Sequence, residues 1–189
     1  MRANSLRFLL AVGGLGWLVW AGSMTCPTCS GAVEEPKVTL QPHTWDELQA
    51  SLKDHAGKVI VIDFWSTSCE PCLREFPQLV ALQEKHGKDV VGISVNCDYI
   101  GLKKKPPEFY RDRVTKTLTD LKAQPLINVL CTQPSDDLFA ALKVDSIPAV
   151  FVYGRDGKLA HRFDNRTSKG EEGVSYEKLV TPAVTALLK

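Results

Sequence analysis

The sequence predicts an α/β domain with a central mixed sheet flanked by helices. Two apolar runs rich in β-branched residues, Val59–Trp65 and residues 89–96, have the composition of buried parallel strands. Between them, residues 73–82 carry apolar side chains at helical spacing, which is typical of the crossover helix that joins two parallel strands. A chain of 189 residues with 44% hydrophobic composition is long enough for one well-buried core.

The other elements follow from periodicity and turn signals. Thr44 and Glu47 have the spacing of a capping box and predict a helix that ends near Ala56. A basic, proline-broken stretch at residues 98–125 contains a predicted helix at residues 109–122 and three adjacent lysines that we expect to be solvated. The remaining predictions are strands at residues 38–40 and 126–131, a helix at 136–142, a hairpin of strands 149–153 and 159–163, and a C-terminal helix at 176–188.

The N-terminus has the pattern of a targeting segment. Arg2 and Arg7 flank its start, residues 8–20 are apolar, and residues 21–23 are small enough for a cleavage site. We therefore expect residues 1–23 to be a signal peptide or an N-terminal membrane anchor, residues 24–37 a linker, and residues 38–189 the folded domain. Such a segment places the domain in an extracytoplasmic compartment, periplasmic or secreted, where the six cysteines can pair.

The charge balance argues against one class of partner. The chain has 23 basic and 22 acidic residues, for a formal net charge of +1. A nearly neutral protein has no overall field that attracts a polyanion, so we expect no nucleic-acid binding.

Cys69 and Cys72 lie where a predicted strand is followed by a predicted helix. Residues 66–68 turn the chain after the strand, and Glu70 and Pro71 suit the first turn of a helix. Cys69 is therefore predicted at a helix N-terminus, where unpaired N–H groups and the positive end of the helix dipole stabilise a thiolate. The thiolate is the nucleophile in disulfide exchange, and Cys72, one helical turn away, is the natural resolving thiol. This chemistry needs no bound cofactor.

The same Cys-x-x-Cys spacing also occurs in structural zinc sites and in plain disulfides. A zinc ribbon needs a second pair, and the other pair, Cys26 and Cys29, lies beyond a predicted helix and the core strand. The strand and helix that flank Cys69 and Cys72 favour a redox site, so we expect no metal there. For Cys26 and Cys29 a local disulfide, a shuttle pair and a metal site all stay open.

The cysteine segment resembles the active site of the thioredoxin superfamily. Cys69-Glu70-Pro71-Cys72 followed by Glu75-Phe76-Pro77 resembles, more narrowly, the TlpA/ResA-like branch of extracytoplasmic thiol-disulfide oxidoreductases. The resemblance implies a thioredoxin-like fold with a helical insertion after the second core strand. It also implies protein thiol or disulfide substrates, a reducing role that includes apocytochrome c, and a membrane-bound electron donor. Ser68 stands where most relatives have tryptophan.

Asp63 and Glu75 are candidate acids for proton transfer. Asp63 lies inside an apolar strand, where it is either a satisfied core acid or a functional group whose pKa is raised by burial. The resemblance matches it to the buried acid that relays a proton to or from the second cysteine. Glu75 follows Cys72 by one helical turn, so it is either a solvated helix residue or a second acceptor for the Cys72 proton.

Ile147 and Pro148 precede an apolar strand. By base rates alone the peptide bond between them would be trans, but the resemblance implies a cis bond opposite the dithiol. The Ile147 backbone would then pair with an extended substrate strand. We expect Trp65, Glu70 and Pro71 to complete this substrate-binding surface.

Cys97 and Cys131 each lie at the end of a predicted strand. If those strands are neighbours, the two thiols meet and form a second disulfide; the alternative is a pair of separate buried thiols, since burial is ordinary for free cysteine.

Three functions are compatible with the sequence. The leading prediction is a thiol-disulfide oxidoreductase. A peroxiredoxin-like peroxidase needs a threonine and a proline upstream of its reactive cysteine; Thr67 lies two residues before Cys69, but no proline precedes it in this loop. A non-catalytic, thioredoxin-like docking module would use the dithiol only as a structural bridge.

Overall fold

Six strands form one mixed sheet in the computed structural model of the chain, which describes residues 37–164 and 173–189. The strand order is β1-β4-β3-β2-β5-β6. The first four of these strands run parallel to one another, whereas β5 pairs antiparallel with β2, and β6 antiparallel with β5. The predicted α/β class with a mixed sheet is therefore confirmed. The predicted N-terminal segment and nearly all of the linker lie outside the described residues.

Helices connect the parallel strands. In chain order the elements are β1 (Gln41–His43), α1 (Trp45–Ser51), a 3₁₀ turn (Leu52–His55), β2 (Val59–Trp65), α2 (Glu70–His86), β3 (Val90–Asn96), a 3₁₀ turn (Pro107–Tyr110), α3 (Arg111–Asp120), β4 (Ile127–Cys131), α4 (Ser135–Leu142), β5 (Ala149–Tyr153), β6 (Leu159–Phe163), a π-helical turn (Tyr176–Val180) and α5 (Thr181–Leu187).

The two faces of β2 belong to two separate parts of the core. Every residue of β2 is buried, and alternate side chains point to opposite faces of the sheet. Val61 and Trp65 lie in an apolar cluster with α2, α3 and the C-terminal segment (residues 173–189), whereas Ile62 and Phe64 lie in a second cluster with α1 and α4. This burial on both faces explains why β2 is a continuous apolar run rather than an alternating one.

The carboxyl ends of the parallel strands meet at one edge of the sheet. Trp65 at the end of β2 is in register with Asn96 at the end of β3, and Asn96 is in register with Leu130 near the end of β4. Ligands and reactive groups of open α/β sheets collect at this edge. The loop that carries Cys69 begins here.

Three of the predicted elements differ in detail. Val38 and Leu40 pack against the core, but strand pairing begins only at Gln41, opposite Val129, so the predicted strand at residues 38–40 was wrong by three residues. The insertion helix is shorter than predicted because its first turn is 3₁₀. The C-terminal helix begins as a π-helical turn and becomes α-helical at Thr181.

In the part of the chain that the structure describes, every helix is too short or too polar to span a bilayer.

Candidate active site

Cys69 and Cys72 are joined by a disulfide at the start of α2. Their Cα atoms are 5.3 Å apart. Cys69 is the N-cap residue of α2, and its sulfur accepts a hydrogen bond from the backbone N–H of Cys72 at 3.3 Å. The predicted position of Cys69 at a helix N-terminus is confirmed. In the reduced protein, this N–H and the positive end of the helix dipole stabilise negative charge on the Cys69 sulfur.

The two sulfur-bearing residues differ in exposure. Cys69 is half-buried, whereas Cys72 is only 2% exposed. Glu70 and Pro71 between them are exposed. An external thiol or disulfide therefore reaches Cys69 and not Cys72.

Asp98 holds the loop that leads to Cys69. Its side chain accepts hydrogen bonds from the Thr67 backbone N–H at 2.8 Å and from the Thr67 hydroxyl at 2.6 Å. The Arg113 guanidinium, supplied by α3 of the insertion, donates to the same carboxylate at 2.8 Å. The carboxylate is almost completely buried. Through its contacts with Thr67 and Arg113 it links the insertion to the loop, two residues before Cys69.

Asp63 is a buried acid on the same face of β2 as Trp65. It is 3% exposed, and its Oδ2 accepts a hydrogen bond from the Tyr176 hydroxyl at 2.7 Å. Its Oδ1 has no hydrogen-bond partner among the described residues. Burial raises the pKa of Asp63 from 3.8 to about 7; the Tyr176 hydrogen bond opposes this increase, and the negative charge of Glu75 adds to it. The predicted increase in pKa is confirmed.

Glu75 is not a fully solvated helix residue. It is half-buried on α2, and its carboxylate accepts the backbone N–H of Tyr176 at 2.9 Å. The negative charge of Glu75 also influences both Asp63 and the Tyr176 hydroxyl, so the two acids belong to one network.

The Ile147–Pro148 peptide bond is cis, as the resemblance implied. It immediately precedes β5, whose first residue, Ala149, is paired with Phe64 near the carboxyl end of β2. This register brings the cis bond to the sheet edge where the dithiol loop begins. Pro148 is buried and Ile147 is half-buried.

Trp65 was wrongly predicted to contact substrate. Its side chain has no exposed surface and packs edge-to-face on Phe76 of α2, with ring centroids 5.1 Å apart. Alternation along β2 gives Trp65 the orientation of Val61, toward α2 and the core. Trp65 therefore supports the helix that carries the dithiol and is not part of the docking surface.

The second disulfide is not formed. Cys97 directly follows β3 and Cys131 is the last residue of the neighbouring β4, as predicted, but both are free thiols, and each is buried in the cluster that contains α1 and α4. The Cys97 thiol donates to the carbonyl oxygen of Val95 at 3.5 Å. Burial raises the pKa of both thiols, which keeps them protonated and poorly reactive. The alternative of buried free thiols is the correct one.

Within residues 37–164 and 173–189, no group of three or more His, Cys, Asp or Glu side chains is arranged to hold a metal ion. Cys26 and Cys29 lie outside the described residues.

Sequence reasoning did not find Tyr176, Asp98 or Arg113. Asp98 had a usable signal, because it is a polar residue just after a strand that ends at the same sheet edge as β2. Tyr176 and Arg113 have no local signal, since each acts on residues far away in the chain.

The fold, together with a disulfide at a helix N-terminus of which one cysteine is half-buried and the other buried, defines a thioredoxin-like thiol-disulfide oxidoreductase. A sequence profile of the Redoxin family matches residues 33–180, and the chain belongs to that family.

Comparison with individual proteins agrees with this assignment. The chain is 24% identical over 191 residues to the thiol-disulfide oxidoreductase ResA of Bacillus thuringiensis subsp. konkukian, covering 96% of this chain and 100% of that protein. It is 25% identical over 159 residues to ResA of Geobacillus thermodenitrificans, covering 82% of each.

Two solved structures have the same fold. A thiol-disulfide isomerase from Corynebacterium glutamicum has a TM-score of 0.57 at 14% identity, covering 74% of this chain and 86% of that one. A secreted disulfide oxidoreductase of Mycobacterium tuberculosis has a TM-score of 0.52 at 17% identity, covering 71% of this chain and 86% of that one. The predicted thioredoxin-like fold and TlpA/ResA-like character are confirmed.

The contacts of Asp98 predict that Asp98→Ala destabilises the protein by roughly 2 kcal/mol in urea unfolding. Most of the loss comes from the two Thr67 donors, because the Arg113 side chain is 58% exposed and solvent screens its ion pair. The exposed Asp112, on the same helix as Arg113, is the control, and Asp112→Ala should change stability by less than about 0.5 kcal/mol. Equal effects of the two variants would contradict the linking role of Asp98.

The raised pKa of Asp63 predicts a pH-dependent loss of stability in the disulfide form. The folded protein holds the Asp63 proton up to about pH 7, whereas the unfolded chain releases it near 3.8. The unfolded state therefore binds fewer protons between these values, and the Asp63 contribution to stability falls as pH rises through them.

Asp63→Asn removes this titration. Relative to wild type, its free energy of unfolding should increase by up to about 4 kcal/mol between pH 4 and pH 8. Urea unfolding at a series of pH values measures the difference, with the exposed Asp54→Asn as the control for a surface acid. Parallel pH profiles for wild type and Asp63→Asn would show that Asp63 ionises normally.

Proposed function

We propose that this enzyme reduces disulfides in protein substrates outside the cytoplasm, with Cys69 as the attacking thiol and Cys72 as the resolving thiol. The proposal rests mainly on one observation: two cysteines on one helical turn differ in exposure, and the more accessible one, the half-buried Cys69, caps the helix. The similarity to ResA proteins supports the same activity.

The exchange proceeds in two balanced steps. The Cys69 thiolate attacks one sulfur of the substrate disulfide, the substrate S–S bond breaks, and the first substrate thiolate leaves and takes up a proton. Cys72 then loses its proton and attacks the Cys69 sulfur of the mixed disulfide, which releases the second substrate thiolate. Once the second thiolate is also protonated, the substrate has gained two electrons and two protons. These protons equal the one that Cys69 released on ionising and the one that Cys72 loses, and the enzyme is left with the Cys69–Cys72 disulfide.

Asp63 and Glu75 receive the proton that Cys72 must lose. Cys72 is nearly inaccessible to solvent, so an acceptor inside the protein is needed. Asp63 lies in the same buried layer, and its pKa of about 7 is well suited to reversible proton exchange. Glu75, one helical turn after Cys72, is the second acceptor.

The surface around Cys69 binds the substrate chain. Glu70 and Pro71 flank Cys69 on the exposed side, and Pro148 ends the loop that reaches the same sheet edge. The Ile147 backbone pairs with an extended substrate segment, so the half-buried Ile147 side chain affects specificity.

The charge of Glu70 favours the reducing direction. It places a negative charge between the cysteines, which opposes thiolate formation at Cys69 and favours a more reducing enzyme.

A reducing role also needs a source of electrons. We assign residues 1–23 as signal peptide or anchor, residues 24–37 as linker, and a membrane-bound donor as the partner that regenerates the dithiol. Cysteines of apocytochrome c are a candidate substrate class.

Neither alternative function has equal support. A peroxiredoxin-like site would need a proline upstream of Thr67, which this loop lacks, and the Thr67 hydroxyl donates its proton to Asp98 rather than to a bound peroxide. A purely structural bridge in a docking module would resist reduction, with a potential below about −300 mV and no turnover on protein disulfides. Measuring the potential of the Cys69/Cys72 couple separates the docking module from the enzyme.

The resolving role of Cys72 predicts that Cys72→Ser traps substrate. The variant should accumulate a mixed disulfide between Cys69 and a protein disulfide such as insulin, because no second thiol releases it. Non-reducing electrophoresis and intact mass measure the adduct. Cys69→Ser is the matched control, with Cys26→Ser and Cys29→Ser present in both proteins; it should form no adduct, since the remaining Cys72, Cys97 and Cys131 are buried.

A peptide with the Cys-x-x-Cys-His haem-attachment sequence, in its disulfide form, tests the cytochrome c assignment. Faster trapping of this peptide than of insulin supports that assignment. If a folded Cys72→Ser protein captures neither substrate, the proposed exchange reaction is wrong.

A further inference from the structure

Tyr176 contacts both of the acids assigned to proton transfer. Its hydroxyl donates to Asp63 Oδ2 at 2.7 Å, and its backbone N–H donates to Glu75 Oε2 at 2.9 Å. Asp63 comes from β2, Glu75 comes from α2, and Tyr176 begins the π-helical turn near the C-terminus. One residue therefore joins three elements that are widely separated in the chain.

The Tyr176 hydroxyl is well placed to stay a donor. Its side chain is completely buried, in the same apolar cluster as Cys72. Burial, together with the negative charge of Asp63, raises the pKa of Tyr176 well above its usual value. The phenol therefore stays neutral throughout the range in which Asp63 titrates, and its proton is always available to the Asp63 carboxylate.

No other hydrogen bond to the Asp63 carboxyl group occurs among the described residues. Besides Tyr176, the titratable group that acts on it is Glu75 of α2, whose negative charge disfavours the Asp63 carboxylate. Cys72, in the cluster on this face of the sheet, is held in the disulfide, and Cys97 after β3 is buried in the cluster on the opposite face, where the charge of Asp63 helps to raise the pKa of its thiol. The neighbours of Asp63 in the sheet, Ser94 and Val150, carry no charge. The Tyr176 hydroxyl is thus the single described group that favours the ionised form of Asp63.

We propose that Tyr176 is a positioning residue for the resolving step: its hydroxyl orients Asp63 and its amide orients Glu75, so that both proton acceptors of Cys72 are held by one residue of the C-terminal segment. This inference rests on the proposed function, because it assumes that Cys72 gives its proton to these acids. It adds that the C-terminal segment controls the proton exchange.

The test is Tyr176→Phe, which keeps the ring and the backbone N–H and removes only the hydroxyl. Without its donor, the Asp63 carboxylate is less stable, so the pKa of Asp63 should rise by about one to two pH units. Carbon-13 NMR titration of the Asp63 carboxyl group measures this shift in the oxidised protein. The rate at which Cys72 resolves a Cys69–glutathione mixed disulfide, measured by quenched flow against pH, should reach its half-maximum at a correspondingly higher pH.

Two controls separate positioning from packing. Tyr110→Phe removes a hydroxyl from another buried tyrosine of the same cluster and should leave both titrations unchanged. In an Asp63→Asn background, Tyr176→Phe should no longer shift the pH profile of resolution, because the group on which it acts is gone. A merely structural role would slow resolution equally at every pH and in both backgrounds.

The possible failures are distinguishable. If the Asp63 pKa moves but the pH profile of resolution does not, or if neither moves, the role of Tyr176 is wrong while the exchange reaction stands. If wild-type protein resolves no mixed disulfide at any pH, the proposed function fails, and so does the role that rests on it.

Discussion

The capping of α2 by the Cys69 sulfur is the interaction on which the site depends. A helix N-terminus has backbone N–H groups without helical partners, and at this helix one of them, that of Cys72, donates to the sulfur of Cys69. The cap therefore requires a sulfur with acceptor character, which a thiolate provides better than a thiol. The same geometry that begins the helix also makes Cys69 the better nucleophile. The buried β2 strand and the Asp98 contacts matter because they hold this helix start in place.

Asp63 combines a cost in folding stability with a pKa that suits proton transfer. A carboxyl group in the layer between β2 and α2 destabilises the folded state at neutral pH, since burial disfavours its charged form. A leucine or asparagine would avoid this cost. Functional sites commonly retain such groups because a perturbed pKa is what the reaction uses. The Tyr176 hydrogen bond limits the cost without removing it.

The features that sequence predicted correctly are those with local causes. The capping box of Thr44 and Glu47, the apolar run of β2 and the helix start at Cys69 each depend on residues a few positions apart. The cis bond before Pro148 was predicted only through the family resemblance, because base rates favour trans.

The errors and omissions have non-local causes. The Tyr176 contacts and the Arg113 ion pair form between separate segments of the chain, so no short sequence pattern predicts them. Neighbouring positions for Cys97 and Cys131 were predicted from strand ends, but adjacency does not make a bond when each thiol is packed among apolar side chains. Trp65 is the one avoidable error: its alternation with Val61 along β2 already placed it on a buried face.

The burial of Cys72 makes an internal proton acceptor necessary. In a solvent-exposed dithiol, water or buffer removes the proton of the resolving thiol, and no protein group is needed. Here Cys72 is 2% exposed and lies among apolar side chains, where a thiolate formed alone would be costly. Transfer to a nearby acid exchanges one buried negative charge for another, so the net desolvation cost is small. An acid with the ordinary pKa of 3.8 would rarely hold the proton, whereas the raised pKa of Asp63, about 7, suits the acceptor role that we propose for it. In the exchange that we propose, burial of Cys72 and burial of Asp63 therefore belong together, and the Tyr176 hydroxyl, which donates to Asp63 from the C-terminal segment, adjusts the pKa of that acid.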